Sequence, residues 1–250
     1  HLGAPGQHGA AEPGVAVGAD DPWMLMYMSG TTGRPKGAIR SHKGGALLSL
    51  VTEIELGLKR TDSAMLVMPM CHANSLFFAC AFAYNGAANC VYDAKSFEPE
   101  HLLCTLAAEK ATFTSLVPTH YIMMLALPEE VKSRYDVSAV GKLMISSAPA
   151  RKDTKLAILE FFRNGQLYEL YGSTEAGWVT LLRPHEQITK LGSVGREWAM
   201  SGAIRLLDEH RREVPDGGVG ATPDNRGSEH ELGEVEMLFA TKGNTDDSNY

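Results

Sequence analysis

Positive charge and long apolar stretches are both scarce in this sequence. Its 250 residues include 30 acidic and 23 basic side chains, which gives a formal net charge of −7. General binders of nucleic acid or of anionic membranes usually carry an excess of basic residues, so this balance argues against both partners. No apolar stretch approaches the roughly 20 residues that span a bilayer, and the N-terminal residues lack a signal-peptide pattern. We therefore predict no transmembrane segment.

Cysteine is also scarce, and its spacing is irregular. The four cysteines (Cys71, Cys80, Cys90 and Cys104) form no C-x-x-C pair, which argues against a zinc site or a disulfide framework. Three of them lie in apolar runs, so we predict buried free thiols. Free thiols are typical of a reducing compartment, and we expect a cytoplasmic protein.

Hydrophobic residues make up 44% of the sequence, enough for a sizeable core, and short apolar runs alternate with helix-like segments. The predicted strands are Trp23–Met28, Ala64–Met68, Asn89–Tyr92, Thr112–Val117, Lys142–Ser146 and Leu167–Tyr171. The predicted helices are one capped by Ser41, Asn74–Tyr84, Pro99–Lys110, one that begins at Pro118, and Asp153–Phe162. This alternation predicts an α/β fold with mostly parallel sheets and flanking helices. The continuous apolar run Trp23–Met28 is typical of a strand buried on both faces.

The two ends of the chain differ from its centre. Residues 1–20 are rich in Gly, Ala and Pro and predict a linker or frayed end, while 21–220 form the predicted core. Helical signals fade after about residue 178, where Trp178–Leu182 and Ala203–Leu207 predict a smaller β-rich region. Residues 221–250 are polar, and we expect a poorly ordered tail with one short strand at Val235–Phe239.

The most informative segment is Ser29-Gly30-Thr31-Thr32-Gly33-Arg34-Pro35-Lys36-Gly37. Its glycines allow successive backbone N–H groups to turn toward an anion, its hydroxyls add donors and Lys36 adds a cation. It differs from a Walker loop, since Pro35 precedes the lysine and Gly37 follows it. Placed after a buried strand, this loop would lie at the carboxyl edge of the sheet. The residues alone leave a solvated turn open as the alternative.

This segment resembles the phosphate loop of the adenylate-forming superfamily, which includes acyl-CoA synthetases, luciferases and peptide-synthetase adenylation domains. Further similar segments follow in the order of that superfamily: Met68-Pro69-Met70-Cys71-His72, Ser147-Ala148-Pro149, Tyr171-Gly172-Ser173-Thr174-Glu175, Gly192-Ser193-Val194-Gly195-Arg196 and Val214-Pro215-Asp216-Gly217. The resemblance covers about residues 21–220 and identifies the chain as a member of the superfamily, of the acyl-CoA synthetase type.

The resemblance implies ATP, Mg²⁺ and coenzyme A as cofactors or co-substrates. It implies a small-molecule carboxylic acid as substrate, which could be fatty, cyclic or aromatic. The implied phosphate-binding residues are Ser29, Gly30, Thr31, Thr32, Gly33, Lys36 and Thr174. The implied adenine-binding residues are Ser147, Ala148, Pro149, Tyr171 and Gly172. Glu175 is the implied metal ligand, and Lys36, His72 and Glu175 are the implied catalytic residues, with His72 beside the substrate carboxylate. The residues Asn74–Tyr84 and Trp178 either line an acyl pocket or belong to the ordinary core.

The sequence also departs from the superfamily pattern. It has no Thr-Gly-Asp motif for the ribose, no Gly-Arg-x-x-Asp hinge and no C-terminal lid domain with its adenylation lysine, so we expect a partial chain that is weakly active or inactive alone. Two alternatives to an acyl-CoA ligase stay open. One is a peptide-synthetase adenylation domain, which would act beside a carrier protein. The other is a nucleotide-binding fragment without catalysis.

Overall fold

A computed structural model describes residues 14–28, 36–199, 203–207, 212–213 and 234–238. The strands in these ranges are β1 (Pro22–Met28), β2 (Lys36–Ser41), β3 (Ser63–Leu66), β4 (Ala88–Val91), β5 (Phe113–Leu116), β6 (Lys142–Ser146), β7 (Gln166–Ser173), β8 (Gly177–Leu182), β9 (Arg196–Glu197), β10 (Ala203–Leu207) and β11 (Glu234–Leu238). The helices are α1 (His42–Leu56), α2 (Ala73–Asn85), α3 (Pro99–Ala108), α4 (Pro118–Leu125), α5 (Glu129–Lys132) and α6 (Lys152–Phe161), with a 3-10 turn at Pro184–Glu186.

Seven of these strands form one sheet in the order β4-β3-β5-β6-β7-β8-β9. All pairings from β4 to β7 are parallel, whereas β8 and β9 extend the sheet in antiparallel fashion. Parallel neighbours require a crossover connection, and α2, α3, α4 with α5, and α6 supply these crossovers in turn. The predicted α/β fold with a mostly parallel sheet is confirmed.

Two hydrophobic clusters cover the two faces of this sheet. One includes residues of α1 and α2 and contains Phe77, Phe78 and Trp178, whose rings pack at centroid distances of 5.0–5.4 Å. The other joins α3, α4 and α6 to the opposite face and contains the fully buried Tyr121 and Ile158. Burial on both faces is what allows a parallel sheet to consist of nearly continuous apolar strands.

The start of α1 follows from the sequence. Ser41 has an extended backbone, and its Oγ accepts a hydrogen bond of 3.1 Å from the backbone N–H of Gly44, as predicted for an N-cap. The helix ends at Gly57, whose φ of 55° is in the left-handed region that glycine adopts readily.

The expectation for Trp23–Met28 is correct for the strand and wrong for its burial. Its partner strand in the described part of the chain is β2 alone, in an antiparallel two-stranded sheet separate from the parallel one. Met26 is buried against the core, while Leu25 and Tyr27 on the alternate face are 50% and 70% exposed. A continuous apolar run therefore does not distinguish a strand buried on two faces from one buried on a single face.

The predicted strand Trp178–Leu182 is present and extends the main sheet as β8, while β10 and β11 form a separate antiparallel pair. One further expectation needs correction. The four cysteines are free thiols, but Cys71 and Cys104 are exposed and the other two are half-buried. Cys71 lies just before α2, outside the apolar core, and Cys104 lies on the exposed side of α3. Among the helices described, none is long and apolar enough to cross a membrane.

A single carboxylate ties together the amino ends of three parallel strands. Asp62, next to β3, accepts hydrogen bonds from Thr112 Oγ1 before β5 (2.8 Å) and from Lys142 Nζ at the start of β6 (3.1 Å to Oδ2). It also accepts from the backbone N–H of Lys59 at 2.8 Å. Burial alone raises the pKa of Asp62, but these donors and the charge of Lys142 more than offset it and hold the pKa below its ordinary value.

We expect Asp62→Asn to lower the free energy of unfolding by about 2 kcal/mol at neutral pH, because it removes a charge-assisted partner from Lys142. Since the pKa of Asp62 is lowered by folding, its contribution is complete above an unfolded-state pKa of about 3.9 and is lost as the pH falls through the folded-state pKa. Urea unfolding at several pH values between about 3 and 7 measures this. The variant should show a shallower loss of stability in acid, and equal slopes would contradict the assignment; exposed Asp93→Asn is the control.

Candidate active site

A cavity of about 280 Å³ lies where β6 and β7 end and α2 begins. Five residues implied by the sequence line it together: His72, Ser147, Gly172, Thr174 and Glu175. They come from three separate parts of the chain and meet because parallel strands bring their carboxyl ends to one edge of the sheet. Ser146, Leu170 and Trp178 also contribute to its wall.

Other residues implied by the resemblance lie elsewhere. Ala148 and Pro149 are exposed next to the cavity, and Tyr171 is half-buried in β7, paired with Thr180; the described lining includes none of these three. Ser29, Gly30, Thr31, Thr32 and Gly33 lie outside the described residues, as do residues 214–217.

The placement of the phosphate segment differs from the expectation. Lys36 and Gly37 begin strand β2 and are not part of a loop. Met28 pairs in register with Lys36, so residues 29–35 connect two antiparallel strands and do not follow a strand of the parallel sheet. The alternation of Ala38, Ile39 and Arg40 is too short to predict a strand by itself, which is why β2 was missed.

The segment that carries Thr174 and Glu175 is a tight connection between β7 and β8. A Cβ atom on Gly172 would lie 2.2 Å from the carbonyl oxygen of Gly177, so only glycine fits there. Gly177 has a φ of 77°, which also favours glycine. Ser173 Oγ accepts a hydrogen bond of 3.0 Å from the N–H of Ala176 and closes the turn. Thr174 and Glu175 are thereby held at its tip.

Arg40, which the sequence did not single out, supports this turn from below. Its Nη2 donates to the carbonyl oxygens of Thr174 (2.7 Å) and Glu175 (3.1 Å). Its guanidinium carbon lies 5.1 Å from the centroid of the Phe77 ring. Burial holds the pKa of Arg40 below its ordinary value, an effect that the carboxylate of Glu175 partly offsets.

His72 has a structural contact as well as a place in the cavity wall. It is the N-cap of α2, and its Nδ1 accepts a hydrogen bond of 3.2 Å from the backbone N–H of Asn74. A neutral ring that accepts at Nδ1 carries its proton on Nε2. The imidazole is therefore oriented by the helix, with Nε2 available as a donor.

Asn74 is a second residue that sequence reasoning did not separate from its helix. Its side chain is almost fully buried (3% exposed), lines the cavity and donates from Nδ2 to Ser146 Oγ. Among the residues that the structure describes, its Oδ1 has no hydrogen-bond partner. Buried acceptors are rarely left unpaired, so this oxygen supports the interpretation of the cavity as a ligand site. A polar residue at the start of an otherwise apolar helix was the available signal.

The segment that begins at Ser147 has a strained backbone and is held by a hydrogen bond to Glu169. Ser147 has a φ of 68°, in the left-handed region where residues other than glycine are uncommon. Just beyond it, the N–H of Ala150 donates to Glu169 Oε1 at 3.4 Å. Glu169 forms a buried ion pair with Lys155 of α6, so the helix and β7 together fix where this segment leaves the sheet.

Comparison with solved structures first defines the class of fold. The N-terminal domain of FACL13 from Mycobacterium tuberculosis matches 83% of this chain and 51% of its own length at 23% identity, with a TM-score of 0.74. ATP-bound MatB from Rhodopseudomonas palustris matches 80% of this chain and 39% of its own length at 29% identity, with a TM-score of 0.67. The fold is that of the N-terminal domain of adenylate-forming enzymes.

Sequence comparison then gives the family. The pattern of the AMP-binding enzyme family matches residues 3–221, and the chain belongs to that family. It is 31% identical over 211 residues to a feruloyl-CoA synthase of an Amycolatopsis species, covering 83% of this chain and 41% of that protein. It is 30% identical over 183 residues to 4-coumarate–CoA ligase-like 3 of Arabidopsis thaliana, covering 72% and 32%. The chain thus spans less than half the length of these curated relatives.

The capping contact of His72 predicts a difference between two substitutions. His72→Ala should lower the free energy of unfolding by about 1 kcal/mol, because the N–H of Asn74 loses its acceptor, whereas His72→Asn should retain most of it. Urea unfolding measures both. Glu98→Ala is the matched control, since Glu98 is the N-cap of α3 and its side chain makes no capping bond within the described ranges. Equal losses for the Ala and Asn variants would contradict a capping role.

The left-handed backbone of Ser147 predicts that substitution by glycine at this position does not destabilise the protein. Ser147→Gly should leave stability unchanged or raise it by up to about 1 kcal/mol, because relief of strain exceeds the entropy that glycine loses on folding. Ser133→Gly, at a residue with a φ of −68°, should only lower it. Thermal unfolding of the two variants measures the contrast. A Ser147→Gly variant destabilised as much as Ser133→Gly would exclude strain at Ser147.

Proposed function

We propose that this chain carries the nucleotide-binding core of an ATP-dependent carboxylate–CoA ligase. The observation that carries the proposal is the single cavity that joins His72, Ser147, Thr174 and Glu175. These residues come from the segments that resemble the acid, adenine and phosphate sites of the superfamily. The curated relatives bear the names of CoA synthases and ligases, which supports the same reaction class.

The proposed reaction has two steps. A carboxylate oxygen of the acid attacks the α-phosphorus of ATP, an O–P bond forms, and the bond from the α-phosphorus to the bridging oxygen breaks as pyrophosphate leaves. The thiolate of coenzyme A then attacks the acyl carbon, a C–S bond forms, and AMP leaves. Phosphoryl chemistry of this kind depends mainly on positioning and on neutralisation of charge.

The phosphates would be held from two sides. Lys36 and the hydroxyls of Ser29, Thr31 and Thr32 would contact the β- and γ-phosphates, and Gly30 and Gly33 would let the backbone approach them. Thr174 would donate its hydroxyl to the α-phosphate, since it lies at the cavity edge beside Glu175.

Glu175 fits a magnesium site of the nucleotide-dependent kind. Its carboxylate is exposed at the cavity. In the described part of the chain, no group of three or more His, Cys, Asp or Glu side chains could hold a metal. Mg²⁺ is usually held by one or two carboxylates together with phosphates and waters, so one carboxylate is sufficient. The ion, when bound, supplies positive charge beside the phosphates.

His72 would orient the attacking carboxylate. With Nδ1 occupied by the N–H of Asn74, the donor Nε2 is left for a carboxylate oxygen at the start of α2. The adenine would lie against Ser147, Ala148 and Pro149, with Tyr171 and Gly172 on the side of β7.

The acid is proposed to be aromatic. Ferulate, 4-coumarate and indoleacetate, which appear in the names of the relatives, each carry an aromatic ring. The indole of Trp178 and the side chain of Leu170 provide apolar surface in the cavity wall.

The four free thiols support the proposal of a reducing, cytoplasmic compartment.

The first test is a thermal-shift titration of the 250-residue chain with Mg·ATP. A ligand at about 100 times its dissociation constant should add about 2.7 kcal/mol, or about 5–10 °C in melting temperature. Lys36→Ala and Glu175→Gln should lose at least half of this shift, because they remove the phosphate cation and the metal carboxylate. Lys43→Ala and Glu160→Gln, which change exposed residues of α1 and α6, should retain it.

The outcomes separate the candidate functions. A shift of equal size in all variants would contradict the proposed site. A shift without pyrophosphate release, for any acid with or without coenzyme A, would favour a nucleotide-binding fragment. Because a partial chain is expected to be weakly active at most, even slow formation of the acyl thioester from 4-coumarate, ferulate or indoleacetate and coenzyme A would support the ligase. Release of pyrophosphate with amino acids alone would favour a peptide-synthetase adenylation domain.

A further inference from the structure

We propose that Arg40 is a positioning residue that joins the strand carrying Lys36 to the turn carrying Thr174 and Glu175. The inference rests on the proposed nucleotide site and adds to it a residue outside the described lining of the cavity. Arg40 is four residues after Lys36 on β2, and 134 residues separate it from Thr174. The phosphate side and the metal side of the site would therefore share one support.

The contacts of Arg40 are made to backbone atoms of the turn. One nitrogen, Nη2, donates to two consecutive carbonyl oxygens, those of Thr174 and Glu175. With both oxygens directed at Arg40, the two side chains are free to extend into the cavity, which they line. A positively charged donor also stabilises the negative ends of these two peptide dipoles.

The space beneath the turn matches a planar guanidinium. A Cβ on Gly177 would lie 3.2 Å from both Nη atoms of Arg40, so the group packs directly against the backbone of the turn. Phe77 of α2 supports it from another direction, at 5.1 Å from ring centroid to guanidinium carbon. Lysine has a single donor head on a flexible stem, so it cannot reproduce this flat contact.

Partial burial of a charged guanidinium costs free energy of desolvation, which its hydrogen bonds must offset. Arg40 is half-buried, and its Nε is buried with no hydrogen-bond partner in the described part of the chain. The carbonyl oxygens of Thr174 and Glu175 therefore offset only part of the free-energy cost of desolvating the Arg40 side chain. Supporting residues of this kind, one contact removed from a bound metal, typically change metal affinity by about 10–100-fold when they are substituted.

The test combines nucleotide binding with hydrogen exchange on Arg40→Met, which retains the length of the side chain and removes its donors. Calorimetry compares ATP in the presence of Mg²⁺ with ATP in the presence of a chelator. The dissociation constant for Mg·ATP should rise at least about tenfold, because the turn that carries Glu175 is no longer held. This rise should be larger than the rise in the dissociation constant for metal-free ATP. Without ligand, backbone amides 174–177 should exchange at least about tenfold faster, while those of β6 are unchanged.

The controls make every outcome decisive. Arg60→Met changes an exposed arginine after α1 and should leave both measurements unchanged. If Arg40→Met does not fold, Arg40→Lys decides, and it should show both effects at intermediate size. Exchange and affinity at the original values in whichever variant folds would overturn the inference. Failure of Glu175→Gln to weaken Mg·ATP would instead contradict the proposed function, and the exchange rates would still decide whether Arg40 holds the turn.

Discussion

Parallel pairing from β4 to β7 is the constraint on which the candidate site depends. Each connection between these strands must cross back to the edge of the sheet where the strands begin. The carboxyl ends of β6 and β7 therefore meet at the other edge, beside the start of α2. The network centred on Asp62 holds the opposite edge, where β3, β5 and β6 begin. Because one edge is fixed by polar bonds and both faces by apolar clusters, the other edge can carry strained and solvent-facing segments.

The polar parts of the site are held by groups that do not line the cavity. Lys155 and Glu169 fix the departure of the segment after β6, and Arg40 fixes the turn after β7. Each support is a charged group removed from much of its water, which makes its contacts directional and its loss expensive. In this arrangement the apolar core determines where the site lies, and a few desolvated charges determine how the backbone is turned within it.

Much of the fold could be predicted because periodicity and caps are local. The strand Lys142–Ser146, the Ser41 cap and the helix that follows β3 all depend on residues within a few positions of one another. Burial on one face or two was not predictable for Trp23–Met28, since that depends on which elements pack against it. The sequence does not predict strand β2, because the four residues that follow Gly37 in this strand form no clear period. Its pairing partner, β1, is on the other side of the phosphate segment in the sequence.

The sequence by itself determined the family and most of the helices and strands, and it predicted the chemical character of the site, because these reside in short motifs and local patterns of residue types. Only the tertiary structure decided that Asn74 donates to Ser146 and presents to the cavity an oxygen with no partner among the described residues, and that Arg40 lies beneath the turn of Thr174 and Glu175. These relationships join residues far apart in the chain, and the hydrogen-bond geometry between them does not exist until the sheet has formed.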